Sequence, residues 1–295
     1  MRLNETSMTS SPVRRPGPPA AASGSGAGSR RRLRSALLGA FETLLPRLVA
    51  RLRAERHLRT GEPELRLVPA LSMPDRLSID VGANHGIYIY AVVMARHASR
   101  VLAIEPNPEL ARSLRRALPR RCDVLCCALS DRKGRAELRV PRVDGEANRY
   151  LATLDQDVAD PAEVHEVELA RLDDCAREPV GFVKIDVEGH ELAVLRGADR
   201  VLREDGPNLL IEAEERHRPG AVADVAGLLA GYGYRGLFRV GAWMRPIAEF
   251  DPAVHQDPRN LGHGPGRIGR YVNNFVFTRD LALYRRLQAE PVLVG

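Results

Sequence analysis

The sequence predicts an α/β fold with a doubly wound, mostly parallel sheet. Two observations predict it. From about residue 76 onward, short apolar runs alternate with helix-length amphipathic stretches, as in a sheet covered by helices on both faces. The run Leu77–Val81 then leads into a glycine-bearing turn, Asp80-Val81-Gly82-Ala83-Asn84-His85-Gly86. Such a turn places a ligand beyond the carboxyl end of a strand. The composition agrees. With 44% apolar and 28% charged residues in 295, the chain is neither wholly disordered nor collagen-like. No apolar run reaches the roughly 18 residues of a membrane span.

Leu77–Val81 reads as the first strand, followed by a helix over Ile87–Arg96. Val101–Ile104 is the second strand, Glu109–Leu118 a helix and Val124–Ala128 the third strand. Phe182–Val187 and Leu209–Ile211 are strands separated by a helix over Glu191–Leu202, and Ala221–Leu229 is a further helix. Tyr234–Val240 and Tyr271–Phe277 supply two last strands. Between Ser130 and Arg177 the alternation breaks. Ala136–Val140 and Val164–Leu169 read as an inserted hairpin or flap over a pocket, around a polar segment containing Asp144, Gly145, Asp157 and Asp160.

The expected organisation is a disordered tail over 1–29, a basic amphipathic helix over 30–60 and a main domain over 61–295. The tail is rich in Ser, Gly, Pro and Ala, too poor in apolar groups to offset chain-ordering entropy. It lacks the apolar run of a secretory signal, so a cytoplasmic location is expected. Leu33, Leu37, Phe41, Leu44, Leu48 and Leu52 recur every three or four residues, the period of one helix face. That stripe is expected to pack on the main domain; contact with an anionic membrane surface, or with a second copy, is the alternative. Pro46 is expected to kink or split this helix. Residues 1–60 hold 12 Arg and 3 Glu, whereas the other 235 hold 32 basic and 35 acidic groups. The main domain therefore shows no broad cationic face, and no nucleic-acid partner is expected.

A dinucleotide site wants three glycines in G-x-G-x-x-G. Here Gly82 and Gly86 are four apart with Asp80 just before them. A carboxylate at that point repels a pyrophosphate and suits a cationic group, such as the amino-acid part of S-adenosyl-L-methionine. Glu105, about 20 residues on, stands where a ribose hydroxyl pair is held. Asp131, closing Ala128-Leu129-Ser130-Asp131, is placed to accept from an adenine amino group.

These motifs, and above all Lys184-Ile185-Asp186-Val187-Glu188-Gly189-His190-Glu191, resemble the FkbM family of S-adenosylmethionine-dependent methyltransferases over roughly residues 76–245. The resemblance implies a seven-stranded class I methyltransferase fold. It also implies methyl transfer to a hydroxyl of a sugar, glycan or polyketide-type small molecule. The expected cofactor residues are Asp80, Gly82, Asn84, Gly86, Glu105 and Asp131. Asp186, Glu188 and His190 are the candidate catalytic residues, and Glu212 and His217 the candidate acceptor contacts.

Read on their own, Lys184, Asp186 and Glu188 share one side of a strand that ends near Gly189, with Lys184 neutralising Asp186. Asp186 and Glu212 end neighbouring strands and offer oxygen ligands for Mg²⁺, but no compact ligand motif accompanies them and no metal is expected. Cys122, Cys126 and Cys127 lack a second Cys/His pair and read as reduced core residues. The competing readings are a nicotinamide-dependent oxidoreductase and a non-catalytic cofactor-binding interaction module.

Overall fold

The computed structural model describes residues 44–95, 100–143, 146–148, 151–154, 161–261 and 271–292. The predicted tail, the first part of the predicted helix, and Asp144, Gly145, Asp157 and Asp160 lie outside them. Residues 44–295 form one unit. Its principal helices are α1 (Pro46–Thr60), α2 (Ile87–Ala95), α3 (Pro108–Ala117), α4 (Glu191–Arg196), α5 (Ala221–Gly231) and α6 (Leu281–Ala289).

The strands of the central sheet are β1 (Leu77–Val81), β2 (Val101–Ile104), β3 (Cys122–Leu125), β8 (Val180–Ile185), β9 (Asn208–Glu212), β10 (Arg235–Val240), β11 (Trp243–Pro246) and β12 (Asn274–Thr278). A second sheet holds β4 (Ala128–Leu129), β5 (Gly134–Val143), β6 (Glu146–Ala147) and β7 (Pro161–Ala170). The central order is β11-β10-β12-β9-β8-β1-β2-β3. The five strands from β9 to β3 are mutually parallel, and β12 enters antiparallel to both β9 and β10. This is the class I methyltransferase arrangement, with eight strands rather than the expected seven. The eighth is β11, which folds back on β10 through Gly241 and Ala242. Gly241 supplies φ 61° at the first loop position, as a tight two-residue hairpin requires.

Strands β1 and β8 are buried along their whole length, which is why their sequences run apolar instead of alternating. Two boundaries differ from expectation. The predicted third strand divides: Cys122–Leu125 closes the central sheet, while Ala128–Leu129 pairs parallel with β7 in the second sheet. Strand β8 stops at Ile185, well before Gly189. Asp186 N donates to Val81 O across the sheet edge, and Glu188 and Gly189 take φ values of 50° and 99°, which a strand cannot contain. The inserted hairpin is present as the antiparallel pair β5–β7, with its own small core of Ala128, Leu138, Val167 and Leu169.

Helix α1 packs the opposite way from the expected leucine stripe. Ala50 and Ala54 are its buried side chains, and they let it lie close against α2 and α3. Leu44, Leu45, Leu48 and Leu52 are exposed. Pro46 opens the helix, where a missing N–H removes no hydrogen bond. Cys127 is buried as expected, Cys122 is half-buried and Cys126 is exposed.

Candidate active site

The carboxyl ends of β1, β2, β8 and β9, the start of β12 and the end of β10 share one sheet edge. A cavity of about 740 Å³ runs along it. Leu138, Leu151, Ala152 and Leu154, from the second sheet and its connection, line it on the β4–β5 side.

At the β1–β2 end, every local feature serves a close approach of backbone. Gly82 holds φ 78°, and a Cβ there would lie 1.8 Å from the Asp186 carbonyl oxygen; no side chain fits. Asn84 is left-handed at φ 47°. Its backbone N–H donates to Glu105 Oε2 (2.7 Å), while Asn107 N–H donates to Oε1 (2.8 Å). Two backbone bonds thus fix the Glu105 carboxylate with a lone pair of each oxygen still unused. Burial raises its pKa to about 7 against those two bonds. Burial also raises Asp80 to about 7, opposed by the Lys184 charge. Asn107 caps α3 by accepting from Glu109 N and Leu110 N, which explains the Glu-Pro-Asn-Pro sequence. Asn84 Oδ1 is buried and finds no partner among the described residues. The orphan acceptor, the two carboxylates and the unused lone pairs of Glu105 fit an aminoacyl nucleoside that carries positive charge.

In the middle stands Lys184. Its side chain is fully buried, and Nζ lies 3.7 Å from Asp186 Oδ2, 3.8 Å from Glu212 Oε2 and 3.1 Å from Asn274 Oδ1. The ring of Tyr88 stacks 5.0 Å away. Burial works against the ammonium, and the surrounding carboxylates of Asp186, Glu212, Glu62 and Asp80 reverse the effect and raise its pKa. Lys184 therefore pairs with Asp186, as the sequence suggests, and lies against Glu212 as well.

At the β9–β12–β10 end the lining is a set of side-chain pairs. Glu212 accepts from Asn273 Nδ2 (2.6 Å). Burial, reinforced by the Asp186 charge, holds its pKa well above the carboxylate range. Glu62 accepts from the Tyr88 hydroxyl (2.5 Å) and is raised by burial. Glu64 pairs with Arg239 (2.7 Å). Arg216 grips both oxygens of Glu214 at 2.6 and 2.8 Å, and Glu214 stays below its ordinary pKa despite its burial.

Most of the residues singled out in the sequence meet here. Asp80, Gly82, Asn84, Glu105, Asp186, Glu188, His190 and Glu212 all line the cavity. Gly86 stands behind the lining, where a Cβ would lie 2.9 Å from Leu114. Asp131 does not reach the cavity. It is exposed at the start of the second-sheet hairpin and pairs with Arg132 (3.2 Å); Cys127, Ala128 and Leu129 form that part of the wall instead. The displacement follows from the early end of β3. His190 bonds through Nε2 to Ser130 Oγ (3.0 Å), and burial lowers its pKa. His217 also lies off the lining. Its Nε2 sits 2.8 Å from Glu188 Oε2, and that contact raises its pKa. It braces the strained Glu188 from behind.

Glu188, Glu214 and His217 cluster closely enough to ligate a cation, but Arg216 already supplies the positive charge. Sequence reasoning missed Glu62, Tyr88, Glu64, Arg239, Tyr271 and Asn273, all of which line the cavity. Only Tyr271-Val272-Asn273-Asn274, polar residues at the entry to an apolar strand, carried a local signal.

Residues 80–235, more than half of the chain, match the methyltransferase FkbM domain. Over 152 residues the chain is 27% identical to 2-O-methyltransferase NoeI of Sinorhizobium fredii, covering 46% of this chain and 63% of that protein. Over 195 residues it is 28% identical to AMB antimetabolite synthetase AmbE of Pseudomonas aeruginosa, covering 53% of this chain and 9% of that protein. The chain thus spans less than two thirds of either relative. Among solved structures, the FkbM methyltransferase from Methylobacillus flagellatus matches with a TM-score of 0.46 and 22% identity, covering 85% of this chain and 60% of that one. With the glycine turn, the Glu105 cradle and the Lys184–Glu191 motif on one sheet edge, and with that domain match across them, the chain belongs to the FkbM methyltransferase family.

Proposed function

We propose that the protein is an S-adenosyl-L-methionine-dependent O-methyltransferase whose acceptor is a sugar or glycan hydroxyl. One observation carries this reading: the two ends of the cavity differ in chemistry and meet at Asp186 and Lys184. The β1–β2 end offers Asp80 and the Asn84 side-chain oxygen to cationic groups and Glu105 to a ribose diol. When bound, the cofactor supplies a methyl group on a sulfonium sulfur. The β9–β12–β10 end offers Glu62, Glu212, Asn273, Tyr271 and the Glu64–Arg239 pair. Such carboxylates, amides and a guanidinium suit a polyhydroxylated acceptor better than an apolar polyketide. The printed name of NoeI, a 2-O-methyltransferase, supports transfer to oxygen.

Asp186 stands at the junction and is the half-exposed carboxylate of the Lys184 cluster. It orients the acceptor hydroxyl and takes its proton, and the Lys184 ammonium steadies the charge on Asp186 beforehand. General-base help of this kind is typically worth about 10²–10⁴-fold. Glu188, braced by His217, borders the reaction site, and the apolar wall of Leu138, Leu151 and Leu154 excludes water.

The test is methyl-labelled S-adenosylmethionine incubated with saccharides bearing free vicinal hydroxyls, beside polyketide alcohols, carboxylic acids and amines. An alkali-stable label on a saccharide is the expected result. Label only on a carboxylate or an amine overturns the reading. Stimulated oxidation of a nicotinamide cofactor supports the oxidoreductase alternative instead.

A further inference from the structure

We propose that the outer face of α1 docks the protein on an anionic lipid surface. Leu44, Leu48 and Leu52 follow at intervals of four, so they form one stripe, and they are 76%, 50% and 55% exposed. Leu45 beside them is 47% exposed. Soluble proteins rarely leave so many large apolar side chains contiguous and uncovered. The stripe is flanked by arginines. Arg47, Arg51 and Arg59 are exposed, and Arg51 stays 66% exposed although it pairs with Glu55. An apolar strip bordered by long cationic side chains is the design of a helix lying in the plane of a lipid interface. There the guanidinium heads reach the headgroups while their stems lie along the acyl boundary.

Charge selects the occupant. Residues 46–60 carry five arginines and one glutamate. A second copy docking on this face sets arginine row against arginine row. Residues 1–43 add seven arginines and two glutamates, a charge that an anionic surface attracts and a second copy repels. An anionic bilayer answers both features at once. The docking helix also contributes Arg56 and His57 to the cavity lining, so one helix joins the docking face to the wall of the active site.

The experiment is co-sedimentation of the full chain with vesicles. One set is phosphatidylcholine alone and the other contains phosphatidylglycerol. The expected result is binding to the anionic vesicles, at least about tenfold weaker on phosphatidylcholine alone and reduced by salt. Replacing Arg47 and Arg51 together by Gln lowers binding by about tenfold or more, and the double variant Leu48→Gln/Leu52→Gln abolishes it. Both variants keep the circular-dichroism spectrum and melting temperature of the parent, since the altered side chains are exposed. Three results overturn the proposal. One is a chain that stays in the supernatant with both vesicle types or binds both equally. Another is a leucine double variant that binds like the parent. The third is a dimer that falls to a monomer in the leucine variant with no vesicle binding by either. None of these readouts depends on methyl transfer.

Discussion

The two ends of the cavity are built on different principles. At the β1–β2 end, carboxylates are held by the main chain. Glu105 is fixed by the backbone of Asn84 and Asn107, and Gly82 brings its own backbone against Asp186. At the β9–β12–β10 end, three carboxylates are held by side chains distant in sequence: Glu64 by Arg239, Glu62 by Tyr88 and Glu212 by Asn273. The first arrangement changes only if the chain path changes. The second is altered by a single substitution that leaves the path intact. On the proposed reading, the fixed end holds the cofactor and the adjustable end holds the acceptor.

The contrast can be broken hardest at its centre. Lys184→Met leaves the buried carboxyls of Asp80, Glu212 and Glu62 without their shared cation. Breaking a buried ion pair in this way costs about 3–5 kcal/mol, read as a loss of urea stability at pH 7.5. The loss shrinks at pH 5, where the stranded carboxylates take up protons. Equal losses at both pH values disprove the clustering of charge around Lys184.

Next comes Glu105→Ala, which removes two charged hydrogen-bond acceptors. It is expected to weaken S-adenosylhomocysteine binding about a hundredfold with the fold retained, as titration calorimetry and circular dichroism report together. Unchanged affinity moves the ribose site elsewhere.

A smaller effect tests electrostatics alone. Burial raises Asp80 and Glu105 to about 7, above their unfolded values. Between about pH 4 and about pH 7 the folded chain therefore holds protons that the unfolded chain has lost. The ligand-free protein becomes less stable as pH rises through that window. Cation binding needs the charged carboxylates and runs the other way. S-adenosylhomocysteine is expected to bind about tenfold more weakly at pH 6 than at pH 8. A flat pH profile of both melting temperature and affinity removes these groups from the site.

The mildest test sharpens the comparison. Asn273→Ala at the acceptor end is expected to raise the acceptor KM several-fold while S-adenosylhomocysteine affinity holds.

The same contrast explains what the sequence made legible. Backbone-held features are contiguous, so Asp80–Gly86, Glu105–Asn107 and Lys184–Glu191 can be read in one line of text. The parallel strands are legible for a related reason: burial on both faces leaves an unbroken apolar run. The acceptor end joins residues about 175 apart in sequence, as in Glu64 and Arg239, and no local pattern marks such a pair. The sheet change before Asp131 is not legible, because an apolar run over 124–128 hides the point where the chain leaves one sheet for another. The facing of α1 failed because periodicity identifies a stripe, whereas the close approach permitted by Ala50 and Ala54 decides which side turns inward.

Lys184 has one more consequence. Its ammonium lies within reach of both Asp186 and Glu212, so a cationic group of the chain already stands between these two carboxyls. A counterion tethered to the polypeptide can be neither stripped by chelators nor exchanged with whatever ions the surroundings contain. Catalysis is therefore expected to continue undiminished in excess EDTA, with the charge balance of the reaction centre written into the chain itself.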